Sequence, residues 1–553
     1  MSASDSSAAR FTEPRLLVSW THRLARRPDA RLLDPSNYPV QPGPDSPHAV
    51  VIGAGFGGLA AAIRLGARGY RVTLVERLDQ PGGRARLFEQ DGFTFDAGPT
   101  VVTAPFLLKE LWNLADQTFE DDVDLVPVDP YYQIRFDDGD IFDYNGDKEE
   151  MIEQIRELNP ADVEGYERLL DRAKEIFEIG FEELGHVPFG KLSNMLKLIP
   201  AMTKLESFRS VYGFVSKFVE NEKLRQVLSF HTLLVGGNPF ATSAIYAMIS
   251  YLERHWGVWY AMGGTNTIVH GMADLIDDLG GTQRYGAEVD EILVSDHGRA
   301  EGVRLTSGET IGADLVVSNA DVGWTYRHLI DSKHRTTWTD RRVESMDYSM
   351  SLFVWYFGTD RIYDDVEHHT ILMGPRYRGL LEDIFERKDL ADDFSLYLHR
   401  PTKTDASMAP EGHDAFYVLS PVPHLESGTD WREEAEPYRQ KVEDYLSETV
   451  LPDLGNRLVT SRMLTPREFK ADYKSLKGAA FSVEPRLTQS AWFRPHNESE
   501  DVEGLYFVGA GTHPGAGMPG VISSARVLDT VVPDPQDLSP LRAETPEAAA
   551  ATA

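Results

Sequence analysis

Two glycine-rich segments, one near each end of the chain, constrain its fold more than any other feature. The first is Val50-Val51-Ile52-Gly53-Ala54-Gly55-Phe56-Gly57-Gly58-Leu59, and the second runs from Leu505 through Gly509, Gly511 and Gly515 to Gly517. The first reads as a strand, a tight glycine turn and a helix start at Gly58, which aims backbone N–H groups and a helix dipole at a pyrophosphate. The second reads as a strand and a loop whose backbone, lacking Cβ atoms, lets a flat ligand come close. Together they predict one sheet, completed by the last part of the chain, around one large dinucleotide.

Gly53, Gly55 and Gly58 form G-x-G-x-x-G, a weak signal alone. Its context sharpens it: Glu76 lies 18 residues past Gly58, at the end of the next predicted strand, Arg71–Glu76. A carboxylate there accepts hydrogen bonds from both ribose hydroxyls and repels a 2′-phosphate. Pro81-Gly82-Gly83-Arg84-Ala85-Arg86 follows, with Gly83 giving close approach and Arg84 a phosphate neutraliser or loop brace. Asp96-Ala97-Gly98-Pro99-Thr100 comes after a short predicted strand. The plain alternatives are an ordinary glycine turn with a solvated Glu76, a surface loop around Arg84 and a simple turn at Gly98. There is no second G-x-G-x-x-G, and the Gly82–Arg84 run with the distant Gly509–Gly517 loop favours FAD over a nicotinamide that diffuses in and out.

With 553 residues the chain is too long for one hydrophobic core, so two or three domains are expected. The absence of cysteine excludes disulfides, Cys-ligated zinc, Fe–S clusters and thiol chemistry, and no metal site is read. A net charge of −32 argues against nucleic acid, which needs clustered Lys and Arg. Such an acid excess resembles proteins of high-salt cytoplasm, where screening relieves self-repulsion. Residues Met1–Arg27 show no secretory signal pattern, and no apolar run reaches the roughly 18 residues of a spanning helix. The expectation is a protein that is soluble or bound to one membrane face.

Along the chain, residues 1–47 carry six prolines from Pro28 to Pro47 and read as an extended or disordered tail. Residues 48–147 and 256–345 read as two parts of the cofactor domain, with a hairpin turn at Asp91-Gly92. Residues 148–255 read as mainly helical, 346–480 as a substrate domain of alternating strands and helices, and 481–532 as the return to the cofactor domain. Residues 533–553 are rich in Pro, Ala and acids and read as a disordered tail.

From about His48 to about Val532 the chain resembles, block after block, the bacterial- and fungal-type phytoene desaturases, FAD-dependent carotenoid desaturases. The resemblance rests on GAGFGGLA (53–60), PGGRAR (81–86), GFTFDAGPTVVT (92–103), LSFHTLLVGGNPFATSAIY (228–246), GVWYAMGGTN (257–266) and VSNADV (317–322), and continues in GPRYRGLLEDIF (374–385). The blocks AFSVEPRLTQSAWFRPHN (480–497) and VGAGTHPGAGMPGVISSA (508–525) are specific to the carotenoid enzymes. The resemblance implies an α/β fold: a Rossmann-like FAD-binding domain of the flavin amine-oxidase kind, a mixed-sheet substrate domain and a helical membrane-binding region. It implies FAD contacts at Gly53, Gly55, Gly58, Glu76, Gly83, Arg84, Gly98, Val289, Asn319, Gly511 and Met518, with Val289 also readable as a plain core strand residue. It further implies phytoene and carotenoid intermediates as substrates, commonly through four steps to lycopene. A quinone or O2 is expected as electron acceptor.

Residues 187–218 set five bases, Lys191, Lys197, Lys204, Arg209 and Lys217, against one acid, Glu206, among residues such as Phe189, Leu192, Met195, Ile199, Met202, Phe208 and Phe214. In so acidic a chain this fits an interfacial segment on anionic lipid, at the cytoplasmic face of the cell membrane; the plain alternative is an amphipathic core helix. Where the family has been suggested to use an acid-x-x-Arg pair for proton handling, the matching positions are Asn194 and Lys197, a departure that puts an essential carboxylate there in doubt. His231 and His513 are further candidates by residue type. The rivals are a 3,4-desaturase, a C30 diapophytoene desaturase, a carotenoid isomerase, and a non-catalytic isoprenoid-binding subunit.

Overall fold

The computed structural model describes residues 38–190 and 199–538. Its centre is a five-stranded parallel sheet in the order Leu505–Phe507, Leu315–Ser318, His48–Ile52, Arg71–Val75, Thr282–Arg284. Strand His48–Ile52 lies in its middle and is buried from Ala49 onward, which explains its unbroken apolar run: a parallel strand is covered on both faces. The helix that follows spans Phe56–Ala67, starting two residues before the expected Gly58, and every residue in it is buried. Gly58 permits that start, because a Cβ there would fall 1.9 Å from the carbonyl oxygen of Gly53.

The strand at the carboxyl end pairs with Leu315–Ser318, Val317 opposite Tyr506, so the last part of the chain does complete the first sheet. A three-stranded antiparallel sheet, Val289–Val294, Ala300–Leu305 and Thr310–Gly312, flanks it. The second large sheet has seven strands in the order Leu458–Leu464, Ser351–Thr359, Asp414–Val422, Leu396–His399, His369–Met373, Tyr132–Phe136, Ile141–Tyr144. Its last two strands correct the boundary read at residue 147: they lie within the supposed first part of the cofactor domain, yet Tyr132–Phe136 pairs in parallel with His369–Met373. Sequence adjacency could not show this, because the pairing spans more than 230 residues.

The described residues of 148–255 are mainly helices and turns. Lys148–Leu158 starts on Asp147, whose side chain accepts from the N–H groups of Glu149 and Glu150. Asp162–Phe177 and Met248–Trp256 are the other long members, while 228–246 holds only short turns of helix. Among the described residues no helix is long and apolar enough to cross a membrane. The expectations for residues 1–37 and 539–553 lie outside the described residues.

The helices Phe56–Ala67, Pro105–Leu114 and Met518–Val531 are locked by a buried charge network. Arg64 donates to Asp529 at 2.7 Å and to Glu110 at 2.5 Å, and Arg68 reaches the carbonyl oxygens of Val532 and Pro533. Removing one partner of a buried pair strands the other charge. Asp529→Ala is expected to cost about 3–5 kcal/mol of stability, read as a lowered unfolding midpoint.

Candidate functional site

The parallel sheet opens at the carboxyl ends of its strands on a cavity of about 570 Å³, the usual ligand position in such folds. At this end the wall is mostly backbone: Gly53, Gly55 and Gly57, then Gly82–Ala85, Ala97–Thr100 and Asn319. Opposite them stand Gly509, Ala510 and the start of helix Met518–Val531. Gly55 caps the helix Phe56–Ala67 and Gly517 the helix Met518–Val531, so two helix N-termini face one space, each favouring a negative ligand.

Glu76 is the fixed point of this wall. Its carboxylate oxygens accept from the N–H of Ala54 at 2.7 Å and of Leu78 at 2.8 Å. Burial pushes its pKa up, and these backbone bonds pull it back. A carboxylate has about four lone-pair sites, so beyond these backbone donors it retains capacity to accept from a ribose. Asn319 closes the turn from the other side: its N–H donates to the Ile52 carbonyl oxygen at 2.8 Å and its side-chain amide to that of Gly53 at 3.4 Å.

The two glycine-rich segments touch. A Cβ on Gly57 would fall 2.5 Å from Asn319 Oδ1 and 3.1 Å from the Cα of Gly509. The motif pattern treats Gly57 as a free position, so sequence reasoning missed it. Gly83 takes a positive φ of 56°, and Gly82 donates to the Ala54 carbonyl oxygen at 2.7 Å, pinning this loop to the first turn. Gly98 lies so close to Arg84 that a Cβ would meet the Arg84 carbonyl oxygen at 2.2 Å. Arg84 hydrogen-bonds Ser475 Oγ, while its buried Nε has no partner among the described residues, a donor left for a ligand at the wall. Val289 is brought in by its neighbour Ala287, whose N–H donates to the Glu76 carbonyl oxygen at 2.8 Å.

Two residues expected to touch FAD do not line this cavity. Gly58 is off the cavity wall and serves the packing of its helix on Gly53. Gly511 is also off the wall: a Cβ there would strike Val322 Cγ1 at 2.5 Å and Ser482 Oγ at 2.9 Å, so its smallness serves packing. Gly509 and Gly517 hold the positions expected of it.

Away from the glycines the cavity becomes apolar, walled by Phe181, Phe230, Leu234, Leu352, Ile371 and Met373. His231 and His513 both line it. His513 Nε2–H donates to the Leu184 carbonyl oxygen at 3.2 Å, and burial holds its pKa down at about 3. His231 Nε2 lies 3.1 Å from Glu253 Oε2, and Tyr132 donates to the other oxygen of Glu253 at 2.7 Å. Glu253 was not anticipated; its only signal is an acid on the inner face of Met248–Trp256, beside buried Leu252. Asn194 and Lys197 lie outside the described residues. Thr100, Tyr397 and Tyr417 add hydroxyls to the wall, also unread in the sequence because they come from a loop and two strands far apart in the chain.

Residues 56–527 match the flavin containing amine oxidoreductases, and the chain belongs to that family. The fold agrees: a putrescine oxidase variant superposes with a TM-score of 0.61 over 89% of this chain and 99% of its own, at 14% identity. An oxidoreductase from Methanosarcina mazei gives 0.59 over 86% and 98%, at 19% identity. Within the family the chain falls among the phytoene desaturases. It is 48% identical over 506 residues to the neurosporene-forming enzyme of Rhodobacter capsulatus, covering 91% of this chain and 96% of that one. It is 49% identical over 477 residues to the lycopene-forming enzyme of Pantoea ananas, covering 86% and 97%. FAD is the cofactor, and the acceptor pair of Glu76, the open helix N-termini and the unpartnered Arg84 Nε fit it.

Gly55 has no room for a branched side chain, since even a Cβ would stand 3.1 Å from Asn319 Nδ2. Gly55→Val is expected to abolish flavin absorbance in the purified, folded protein. Glu76→Arg replaces the ribose acceptor by a cation and is expected to weaken FAD binding, measured by titrating the flavin-free variant.

Proposed function

We propose that this protein desaturates phytoene toward neurosporene or lycopene, acting from the cytoplasmic face of the cell membrane. One observation carries the reading: a single cavity runs from the Glu76 and glycine turns to an end walled by Phe230, Leu352, Ile371 and Met373. A dinucleotide suits the first end, and a hydrocarbon that can make no hydrogen bond suits the second. Bound there, the flavin supplies the acceptor for the hydride equivalent removed at each step. The chain's own work is to bind and orient. Helix N-termini, Arg84 and Glu76 hold the dinucleotide, and the apolar wall excludes water and aligns the polyene. A quinone or O2 then takes the electrons.

Docking on the membrane is argued from the segment beyond residue 198. Phe208 is 63% exposed and Ile199 49%. Met202, between them in sequence, lines the cavity, so this surface lies close to the entrance a lipid-dissolved substrate needs. The basic excess of the segment is smaller than its composition suggests. Lys204 pairs with Glu175, and Arg209 and Lys217 both pair with Glu206. Phe189, Leu205 and Phe214 are buried in the core. Apolar insertion by Phe208 and Ile199 therefore carries more of the proposed docking than charge does.

Two measurements test these readings. In a phytoene-accumulating host, expression should convert phytoene to more desaturated carotenoids, seen by pigment chromatography; unchanged phytoene sinks the activity. Ile199→Asp combined with Phe208→Asp should reduce liposome binding while FAD content stays full; undiminished binding sinks this docking surface.

A further inference from the structure

Each dehydrogenation leaves a proton as well as a hydride equivalent, and the cavity's apolar end has few groups to take it. Thr100, Tyr397 and Tyr417 are among those few. Their hydroxyls form a continuous set of hydrogen bonds: Tyr417 to Thr100 at 2.6 Å, Thr100 to Tyr397 at 3.1 Å, and Tyr397 to His369 Nδ1 at 2.7 Å. Behind them His368, His369 and His399 are buried, with one ring nitrogen of each within 4.8 Å of the others. Among the described residues His368 Nε2, His369 Nε2 and both nitrogens of His399 have no hydrogen-bond partner. On the far side His368 Nδ1 lies 2.6 Å from Thr404 Oγ1, and Thr404 is half-buried rather than buried.

We propose that this chain, from Tyr417 and Thr100 through Tyr397 to His369 and on through the histidine cluster to Thr404, conducts the proton of each desaturation out of the cavity. The inference rests on the desaturase reading above. With His369 protonated on Nε2, one direction satisfies every bond: Tyr417 donates to Thr100, Thr100 to Tyr397, and Tyr397 to His369 Nδ1. The lone pairs of Tyr417 are then left for the cavity. Loss of a hydride makes one substrate carbon electron-deficient, so the C–H on its neighbour is strongly acidic and a neutral oxygen suffices as acceptor. That C–H breaks, and its electron pair stays to form the new double bond. The proton joins Tyr417 Oη, while Tyr417, Thr100 and Tyr397 each pass their own proton one place along and His369 Nδ1 receives the last. His369 Nε2–H, which has no hydrogen-bond partner at rest, is handed to His399 and then His368 as the rings turn to close gaps of up to 4.8 Å, and the net result is one proton delivered toward Thr404.

The electrostatics favour transit over storage. Burial pushes the pKa of His368 down to about 3 and those of His369 and His399 well below the usual imidazole value. The imidazoles therefore rest neutral, each with one donor and one acceptor. The same feature disfavours a bound cation in the cluster, because the charge that reaches His368 is the guanidinium of Arg400.

The test uses holoenzyme, detergent-dispersed phytoene and anaerobic single turnovers followed by flavin bleaching. Tyr397→Phe keeps the ring and removes the middle hydroxyl; Thr100→Val does the same one place nearer the cavity. Both should lower the rate at which desaturated product appears in quenched samples of the same turnovers by about 10²-fold or more, with FAD content and the dependence on phytoene concentration unchanged. The wild type should show a solvent deuterium isotope effect with more than one proton in flight, and Tyr397→Phe should lose it. In ¹⁵N-histidine spectra the signal of an accepting His369 Nδ1 should shift in Tyr397→Phe. Wild-type rates and isotope effects in both variants overturn the relay. So does a rate loss that comes with lost flavin or weakened substrate binding, which would mean packing alone. A wild type that leaves phytoene unchanged overturns the reading of function, and the relay with it.

Discussion

The carboxylate of Glu76 is the tie on which the cofactor end depends. It ends one strand of the parallel sheet and accepts from the N–H of Ala54 in the turn after the neighbouring strand. That single group fixes the distance between the glycine turn and the second strand. The loop at Gly82 is then pinned to Ala54, Asn319 to Gly53, and Gly509 against Gly57. Segments from the first hundred residues, from Asn319 and from Gly509 therefore share one turn, and at Gly57 and Gly509 the contact leaves no space for a Cβ. Backbone packing of this kind excludes alternatives sharply, because no side-chain rotamer can relieve a clash between main chains.

The cavity changes character along its length. Near the sheet it offers N–H groups, a carboxylate and a guanidinium; farther in it offers methyl groups and rings. The polar groups found at the apolar end are committed to one another rather than to solvent, as with Glu253 between Tyr132 and His231, or Thr100 between Tyr397 and Tyr417. The satisfaction is partial: Glu253 Oε2 and both nitrogens of His231 have no hydrogen-bond partner among the described residues, so this end keeps buried polar capacity to spare.

Local motifs made the cofactor end legible. Gly53, Gly55 and Glu76 could be placed from spacing alone, because a strand, turn, helix and strand in immediate succession obey fixed geometry. Gly509 and Gly57 meeting could be guessed only from the general need to complete a sheet. At Gly511 spacing cannot separate two roles, because a glycine needed for packing on Val322 reads like one needed for a ligand. The second sheet was less legible: Tyr132–Phe136 carries no mark of its partner His369–Met373. For the same reason His368, His369 and His399 gave no sign of converging, and Glu253 looked like any helix acid. Asn194 and Lys197 stand outside the described residues, so the family's suggested proton-handling positions gain no geometry here.

The two large sheets are threaded through each other in the chain. The parallel sheet takes strands beginning at His48 and ending at Phe507, and the seven strands of the other sheet fall between Tyr132 and Leu464, with Thr282–Arg284 and Leu315–Ser318 of the first among them. Emerging from a ribosome, the chain therefore cannot finish the first sheet until after the second has been made. One edge of strand Leu315–Ser318 must wait for Leu505–Phe507, and the cavity must wait for the wall that Gly509 and Met518 contribute. Pairings of such sequence separation are slow to find and leave apolar strands exposed meanwhile. A ligand gripped by both the first and last parts of the chain then acts as a clasp, and assembly of this protein is coupled to the supply of its flavin.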